Sequence, residues 1–534
     1  MEVDLPCEQC PEVSNLSGQL SQDATIFRTA PVQQMLRRFG RVFSRRIQTT
    51  DLVAAAINVT QYAEPAQDGQ DEQDHALSDA LYFKSAQSSS ADVFVSHTWA
   101  SSRLEKYLAL CYYFNLRVAV VAAVIVWLLV VASAFVLIDR TDITDTALVF
   151  MLPLVHFPVV VFVLVFLFGH NFVPTSCSTR IWLDKLCIHQ TRDDLKAAGV
   201  RAVPEFVANS KRFLLLWSES YFERLWCNAE IATFCAFNGT VGVDIMPLWL
   251  APWMLCTMLS QLLSLSLFCV IDVSHVPFRP FFWLLDWEVG DDLLWMHTAL
   301  DVFLSYSFFL VPAYCFFNRK IRCHEATLSH VKDFKMSKAK CAVESDRPLV
   351  EQHIKTLFRD KCELELAASA SAAESIEHYE KYVRCELNDC ISSQVGLVTR
   401  VPFTSCCLPY LPWLFFAPVY ILKVTDHDIL RATTLPWFWC HVFCPIATEL
   451  ILLPLMSPVT LEGLLMCKNK VRDGLKPLAG LMMILGTYAY IGVLTGFLCY
   501  FMCLAVMRSV FSGVVALIFL SQFALHYKLF TDIA

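Results

Sequence analysis

Charged residues are scarce in this chain of 534 residues, of which only 17% are Asp, Glu, Lys or Arg. About a quarter of an average soluble domain is charged, so this composition excludes a single soluble enzyme and a disordered regulator. The apolar residues, 56% of the total, gather into nearly charge-free windows of about 20 residues, the length that spans a bilayer as a helix. Together with a mean hydropathy of +0.48, these windows predict a multi-pass membrane protein.

An excess of positive charge is also lacking. The 42 basic and 50 acidic residues give a net charge of −8, so we expect no nucleic-acid partner. Metal-binding patterns are few. None of the 22 cysteines pairs with a histidine at zinc-finger spacing, and Cys7 and Cys10 form a CxxC with no second half. We therefore expect no metal site and no permanently bound cofactor.

Apolar segments that lack charge predict eight membrane spans, with the lipid bilayer as the main partner. They cover 118–138, 147–169, 245–271, 293–317, 402–422, 435–456, 477–500 and 509–527. The last two could instead be one tilted helix and a re-entrant piece. The segment 318–401 holds 14 Lys and Arg, whereas the four loops on the other side of the spans hold five in all. Because basic residues mark the cytoplasmic side, both termini are predicted to be cytoplasmic.

The composition also divides the chain into segments. Residues 1–90 mix Ser, Gln, Asp and Ala and are expected to be mostly disordered. Within them, 32–47 places apolar residues on one helix face beside five arginines, which indicates either an amphipathic helix on the bilayer or a solvated basic helix. The membrane parts are two hairpins, at 118–169 and 245–317, and a C-terminal region at 402–534. Between them, 318–401 is predicted to be a cytoplasmic helical segment.

Short apolar strands that end in polar residues flank the first hairpin. They are predicted at Asp92–Trp99, 181–185 and 212–218, with helices after the first and the third. Strands that alternate with helices predict a parallel α/β sheet, whose ligands lie outside the carboxyl ends of the strands. A fourth strand is expected at 241–247, and any fifth strand in 328–341. Two crossings return the chain to the same side, so 91–117 and 179–244 can form one domain.

Four motifs in this region resemble those of Toll/interleukin-1 receptor (TIR) domains. Asp92-Val-Phe-Val-Ser96 is similar to their first strand, Trp182-Leu-Asp184 to their second, and Phe213 to Tyr221 to their third. Leu225-Trp-Cys-Asn-Ala-Glu-Ile231 is similar to their helix motif W-C-x-x-E. The resemblance covers about 100 residues. It implies a cytoplasmic, flavodoxin-like α/β domain. Together with the eight spans predicted from hydropathy, the expected fold is mixed: a helical multi-pass bundle with this domain, which a transmembrane hairpin interrupts and to which 318–401 could contribute.

The resemblance also implies a function, since many TIR domains cleave NAD at the nicotinamide–ribose bond. The catalytic glutamate of their W-x-x-x-E motif corresponds to Glu230, one helical turn after Trp226. A carboxylate there stabilises the ribosyl cation that nicotinamide leaves behind. The residues expected to bind NAD as a substrate are Ser96, Thr98, Asp184, Trp226 and Cys227. The implied partners are a second copy of the chain or other TIR-like domains, although the loop after the second strand lacks the family's Pro-Gly pair.

Two other functions remain open on sequence grounds. Many TIR domains with this glutamate act only as assembly scaffolds in signalling. Several ionisable residues of the fourth and sixth predicted spans are also notable, because such groups are costly inside a membrane and often mark a polar pathway. They are His297, Asp301, His441 and Glu449. These residues indicate a transporter or channel with a regulatory cytoplasmic domain as the second alternative.

Overall fold

The computed structural model describes residues 26–43, 79–137, 152–273, 291–341, 343–365, 372–395, 398–423, 444–490 and 524. They form a mixed fold that is mostly helical and includes a six-stranded sheet. They belong to two compact units. The sheet unit lies within Met1–Tyr107, Val173–Met246 and Thr327–Gln394, and the helical unit within Leu108–Phe172, Pro247–Ala326 and Val395–Ala534.

The elements are numbered separately as strands and helices. The strands are β1 (Arg28–Pro31), β2 (Ala86–Gln87), β3 (Ala91–Ser96), β4 (Arg180–Trp182), β5 (Ser210–Trp217) and β6 (Val243–Pro247). The helices are α1 (Val32–Gly40), α2 (Arg103–Leu137), α3 (Phe157–Phe168), α4 (Asp184–Cys187), α5 (Asp193–Arg201), α6 (Val203–Ala208), α7 (Leu225–Asn238), α8 (Leu250–Val273), α9 (Asp291–Lys332), α10 (Arg347–Glu365), α11 (Ala372–Tyr382), α12 (Asn388–Val395), α13 (Phe403–Cys407), α14 (Leu411–Lys423) and α15 (Cys444–Lys470). Residues 476–490 are also helical.

The sheet has the strand order β2-β1-β4-β3-β5-β6. Its central strand β3 is parallel to both neighbours, with Phe94 opposite Trp182 of β4 and Phe213 of β5. Counted from β3, the order β4-β3-β5-β6 is 2-1-3-4, the order in which flavodoxin-like sheets begin. The N-terminal strand β1 extends the sheet by pairing antiparallel with β4 and with β2.

Aromatic side chains hold the three parallel strands together. The ring of Phe94 stacks on Trp182, with centroids 4.4 Å apart, and on Phe213, with centroids 5.5 Å apart. Phe206 of α6 packs on Trp182, and Phe234 of α7 packs on Phe213. Such pairs add to the free energy gained from burying their area. The strands read as apolar runs because helices cover the sheet, as expected of parallel strands.

The structure differs from the sequence prediction at three places in the sheet unit. The second strand ends at Trp182, since Asp184–Cys187 forms a short helix rather than the end of a strand. The fifth strand expected in 328–341 is wrong, because 328–332 is the end of α9 and only a single bridge pairs Lys340 with Arg224. Residues 26–31 belong to the stretch expected to be mostly disordered, yet they supply strand β1 (Arg28–Pro31).

Helix α1 lies inside the region that was assigned to a bilayer surface or to solvent. Met35 and Leu36 of its apolar face are buried in protein, with at most 1% of their surfaces exposed. The α-helical dihedral angles end at Arg37, where ψ is 138°, and Arg38 and Phe39 have positive φ. The amphipathic pattern therefore continues past the point where the helix bends, and its apolar residues stabilise the sheet unit.

The segment after α9 packs on the same unit. His353 of α10 lies 2.9 Å from the hydroxyl of Thr233 on α7. The ring of Tyr379 contacts the rings of Phe358 and Phe334, which joins α10 and α11 to the chain that follows α9. These contacts place Thr327–Gln394 with the sheet unit, next to the helix that carries Glu230.

Within the described ranges, three helices are long and apolar enough to cross a membrane. They cover Arg103–Ala134, Pro153–Phe172 and Leu250–Leu267, and Phe403–Phe416 is a shorter apolar helix. Two boundaries differ from the prediction. The third segment starts at Leu250 rather than 245, because Val243–Pro247 is strand β6. The helix expected near 104–112 and the span at 118–138 form a single helix, α2, of 35 residues.

Several predicted features lie wholly or partly outside the described residues. These are Cys7 and Cys10, His441, parts of the segments at 435–456 and 477–500, nearly all of 509–527, and the side chains of His297, Asp301 and Glu449. The eight-span count and the orientation of the termini therefore stay predictions, as does the polar pathway.

Candidate functional site

The candidate site lies in the sheet unit, where β3, β4 and β5 end. Ser96 is the last residue of β3, Asp184 follows β4, and Tyr221 lies in the loop between β5 and α7. Glu230 is on α7, one turn after its first residues. The carboxyl ends of parallel strands meet at one edge of a sheet, so a short polar residue after each strand brings distant parts of the chain together.

A chain of short hydrogen bonds connects three of these residues. The Ser96 hydroxyl donates to Oε2 of Glu230 at 2.5 Å, and the hydroxyls of Ser96 and Tyr221 are 2.6 Å apart. Ser96 has a single proton, which it gives to Glu230, so the proton in the second bond belongs to Tyr221. While Glu230 is ionised, Tyr221 therefore donates to Ser96, and Ser96 donates to the carboxylate.

The environment of Glu230 favours its neutral form. Burial raises the pKa of its carboxyl to about 8, and the negative charge of Asp184 adds to the rise, while the hydrogen bond from Ser96 opposes it. Burial also raises the pKa of Tyr221 well above its ordinary value, so the phenol keeps its proton and remains a donor. Strongly shifted carboxyl groups often mark functional sites, although structural networks shift them as well.

Asp184 is held in place from two sides. The indole N–H of Trp99 donates to its Oδ2 at 3.1 Å, and the backbone N–H of Lys185 donates to its Oδ1 at 2.7 Å. Burial raises the pKa of Asp184, while these two hydrogen bonds and the charges of Lys185 and Lys106 counteract that effect. The carboxylate therefore orients Trp99 beside the site.

Trp99 in turn lies between two lysines. The ammonium of Lys185 is 4.5 Å from the centre of its indole ring, and that of Lys106, a fully buried residue of α2, is 5.2 Å away. Cation–π attraction of this kind gains strength where water is excluded. His97 packs on the same indole with ring centres 4.6 Å apart. Burial, with the charges of Lys106 and Lys185, lowers the pKa of His97 well below its ordinary value, so its ring is neutral.

The other residues expected to bind substrate have different surroundings. Thr98 is buried, with its hydroxyl 2.8 Å from Ser101 and 3.3 Å from Ser218. Cys227 is buried, and its thiol donates to the carbonyl of His97 at 3.9 Å. Burial raises the pKa of that thiol well above its ordinary value, so it is a poor nucleophile. Trp226 is half-buried on α7, four residues before Glu230.

The start of α7 is fixed by an asparagine rather than by a capping side chain. The amide of the fully buried Asn228 donates to the carbonyl oxygens of Phe222 at 2.8 Å and Arg224 at 2.7 Å. On the other side, the backbone of Lys340 bonds to Glu223 and Leu225, and the Lys340 ammonium pairs with Glu223 at 2.6 Å. These bonds define where α7 begins, and therefore where Glu230 lies.

Of the six residues that the sequence singles out, the structure joins Ser96 directly to Glu230. Asp184 acts on Glu230 through its charge, Thr98 bonds to the end of β5, and Cys227 bonds to the backbone beside Ser96. Sequence reasoning missed Tyr221, Trp99 and Lys106 as members of the site. Trp99 is the last residue of the first predicted strand, and Tyr221 lies in the loop that follows the third. A position at the carboxyl end of a strand is the signal by which they could have been found.

Comparisons of this chain with protein-family models, with curated proteins and with solved structures find no match. The resemblance to TIR domains therefore rests on the four sequence motifs alone.

Proposed function

We propose that this chain is a membrane-anchored intracellular signalling protein whose sheet unit hydrolyses NAD to nicotinamide and ADP-ribose. The observation that carries the proposal is the half-buried carboxyl of Glu230, held 2.5 Å from Ser96 where the parallel strands end. Ligands of such sheets bind at this edge. The four TIR-like motifs and the flavodoxin-like order of the parallel strands support the same reading.

The reaction breaks the bond between C1′ of the ribose and the ring nitrogen of nicotinamide. Nicotinamide leaves as a neutral molecule with the electron pair of that bond, and the ribose carries the positive charge. The ionised carboxylate of Glu230 stabilises this cation, as carboxylates do in glycoside hydrolysis. Water then adds to C1′ and loses one proton, so that NAD and water give nicotinamide, ADP-ribose and a proton.

The predicted binding residues fall into two groups according to how exposed their side chains are, and we assign each group a different role. Asp184 and Trp226 are half-buried and are proposed to contact the substrate. Ser96, Thr98 and Cys227 are buried, with at most 5% of their surfaces exposed. We assign these three to the support of the site rather than to NAD itself.

The anchoring part of the proposal is supported by the three apolar helices. The finer arrangement belongs to the proposal: eight spans, cytoplasmic termini and a domain interrupted by the hairpin that contains α2 and α3. The excess of Lys and Arg in 318–401 supports it, because this segment contains the residues that pack on the sheet unit.

A second candidate is a non-catalytic TIR-like scaffold that assembles with a second copy of the chain or with other TIR-like domains. The burial of Ser96, Thr98 and Cys227 favours it, since hydroxyls that bond to protein groups are not available to a ligand. Under this reading, Glu230 is part of a structural hydrogen-bond network.

One experiment separates the two candidates. The full chain is purified in detergent or in lipid nanodiscs and incubated with NAD, and released nicotinamide is measured by chromatography. We expect turnover by the wild type and a loss of at least about 100-fold in Glu230→Gln. The control Glu351→Gln removes a carboxylate of the same unit, on α10, that lies 4.0 Å from Lys355 and has no part in the site. Absence of turnover in dilute and in clustered wild-type protein would exclude the enzyme.

A further inference from the structure

The hydroxyl of Tyr221 has a position that the proposed reaction does not explain by itself. It is completely buried, so it cannot reach a substrate, yet it lies 2.6 Å from the hydroxyl that holds Glu230. A buried phenol that bonded only to maintain the fold could use any acceptor nearby. This one bonds to Ser96, the side chain that donates to the reacting carboxylate.

We propose that Tyr221 is a positioning residue for Glu230: by donating to Ser96 it turns the only proton of Ser96 toward Oε2 and so fixes the carboxylate in its reactive form and place. The inference rests on the proposed function, because it names the group that prepares Glu230 for the reaction. It assigns Ser96 to the same task and removes Ser96 from the set that contacts substrate.

The chemistry of the three groups supports the assignment. A serine hydroxyl can accept and donate at once, and each hydrogen bond in a chain strengthens the next. Without the phenol, the oxygen of Ser96 loses its donor in a buried place, and its proton is free to turn to another acceptor. A hydrogen bond to the charged form of a carboxyl favours that form. Loss of Tyr221 should therefore make Glu230 harder to ionise.

The direction of the hydrogen bonds also depends on the protonation of Glu230. When the carboxyl is ionised, protons point from Tyr221 to Ser96 and from Ser96 to Glu230. When the carboxyl gains a proton, it becomes the donor to Ser96, and Ser96 must then direct its own proton to Tyr221. In the ionised state both hydroxyl protons lie along one line, from Tyr221 to Ser96 and from Ser96 to Glu230, and the carboxylate only accepts. In the neutral state the phenol becomes an acceptor and its own proton leaves this line, so the phenol favours the ionised carboxylate.

The test uses the full chain in nanodiscs and two independent readouts. The first is the pH dependence of nicotinamide release, and the second is infrared difference spectroscopy of the Glu230 carboxylic acid band, which is identified by its loss in Glu230→Gln. In Tyr221→Phe we expect both midpoints to move to higher pH by about 0.5–1 unit. The kcat at high pH should recover to within about threefold of wild type, whereas a merely structural defect would lower kcat at every pH.

The matched control is Tyr379→Phe. Tyr379 is another fully buried tyrosine of the sheet unit, and among the described residues its hydroxyl has no hydrogen-bond partner. The Tyr379→Phe variant should leave the midpoints of both pH titrations unchanged. If Tyr221→Phe fails to fold, Ser96→Ala and Ser96→Thr replace it: the first should raise the midpoint by about 1–2 units, and the second, which keeps a hydroxyl, should restore it.

The outcomes distinguish the inference from the function on which it rests. Active wild type with unchanged midpoints in Tyr221→Phe or Ser96→Ala would refute the positioning role and leave NAD hydrolysis intact. Inactive wild type would refute the hydrolase. In that case the infrared titration still decides whether Tyr221 controls the carboxyl, because the acid band is measured without turnover.

Discussion

The indole of Trp182 lies flat on the ring of Phe94, with centroids 4.4 Å apart and ring planes that differ by 7°. Both side chains are buried in the sheet unit, and they belong to strands on either side of α2 and α3 in the chain. This contact makes the stability of the unit depend on residues that no local interaction brings together.

Replacing Trp182 with alanine should lower the free energy of unfolding by about 3–5 kcal/mol, because a cavity forms and the stack is lost. Phe94→Ala should have an effect of similar size. Phe83→Ala, at a position where the side chain is 76% exposed, should change it by less than about 0.5 kcal/mol. Calorimetric unfolding of the purified chain measures all three. Equal effects at positions 83 and 182 would mean that the stack is not part of the core.

A disulfide can test the pairing of β3 with β5. The ammonium of Lys211 lies 2.8 Å from the carboxylate of Asp92 on the neighbouring strand. Cysteines at these two positions should therefore form a disulfide on mild oxidation, seen as one cross-linked peptide by mass spectrometry. The pair Asp92→Cys with Arg192→Cys, in which the second residue lies just before α5, is the control. Preferential crosslinking of the control pair would contradict the parallel sheet.

The pKa of Glu230 predicts how stability changes with pH. In the folded chain it is raised from 4.5 to about 8, so the neutral form favours folding. This contribution is complete below pH 4.5 and is lost as the pH rises through about 8. Glu230→Gln carries no charge, so it should be more stable than wild type by between about 1 and 3 kcal/mol at pH 7, and the difference should vanish near pH 4. Thermal unfolding at several pH values provides the measurement, and a constant difference would exclude a shifted carboxyl.

Cysteine labelling should report which thiols are reactive in the folded sheet unit. Cys177 is exposed, whereas Cys187 and Cys227 are buried. Burial raises the pKa of Cys187 to about 12 and that of Cys227 well above its ordinary value. Brief treatment of the native chain with iodoacetamide at pH 8 should modify Cys177 at least about tenfold faster than the other two. Denatured chain, in which all three should react, is the control. Rapid modification of native Cys227 would place it in an open cleft.

Much of the sheet could be predicted from the sequence. The strands β3 and β5 consist of apolar residues in short runs that end in Ser96 and Trp217. β5 matches its predicted segment within two residues, and β3 matches within three. The start of α7 follows a turn-rich segment and was predicted within two residues as well. These elements are determined locally, by apolar runs and by the polar residues that end them.

Strand β1 could not be found in the same way. Its four residues, Arg28–Pro31, show no alternating pattern, and its pairing partner Ile181 lies far along the chain. The segment becomes ordered because an edge of the sheet accepts it and because α1 buries Met35 and Leu36. A prediction from composition averages over the whole segment. It therefore misses four extended residues that become ordered by pairing with a distant strand.

Part of the site could be predicted from the sequence for a related reason. Glu230, Ser96 and Asp184 occupy positions that the strand pattern and the motifs single out. Lys106 was missed because a lysine beside Leu104 on an amphipathic helix is expected to face water. In the structure Leu104 is 54% exposed and Lys106 is completely buried. Its ammonium lies over the rings of Trp99 and Phe43, which belong to other parts of the chain.

The parallel pairing of β3 imposes an order on biosynthesis. A ribosome releases β3 well before its neighbours, since Lys211 follows Asp92 by 119 residues, and both neighbours come after α2 and α3. Until β4 and β5 have been made, Val93, Phe94 and Val95 have no strand on either side to cover their edges. Long-range pairing of this kind forms late and leaves apolar surface exposed meanwhile. A nascent chain that stops after α3 therefore has two apolar helices ready for a bilayer and no domain to fold.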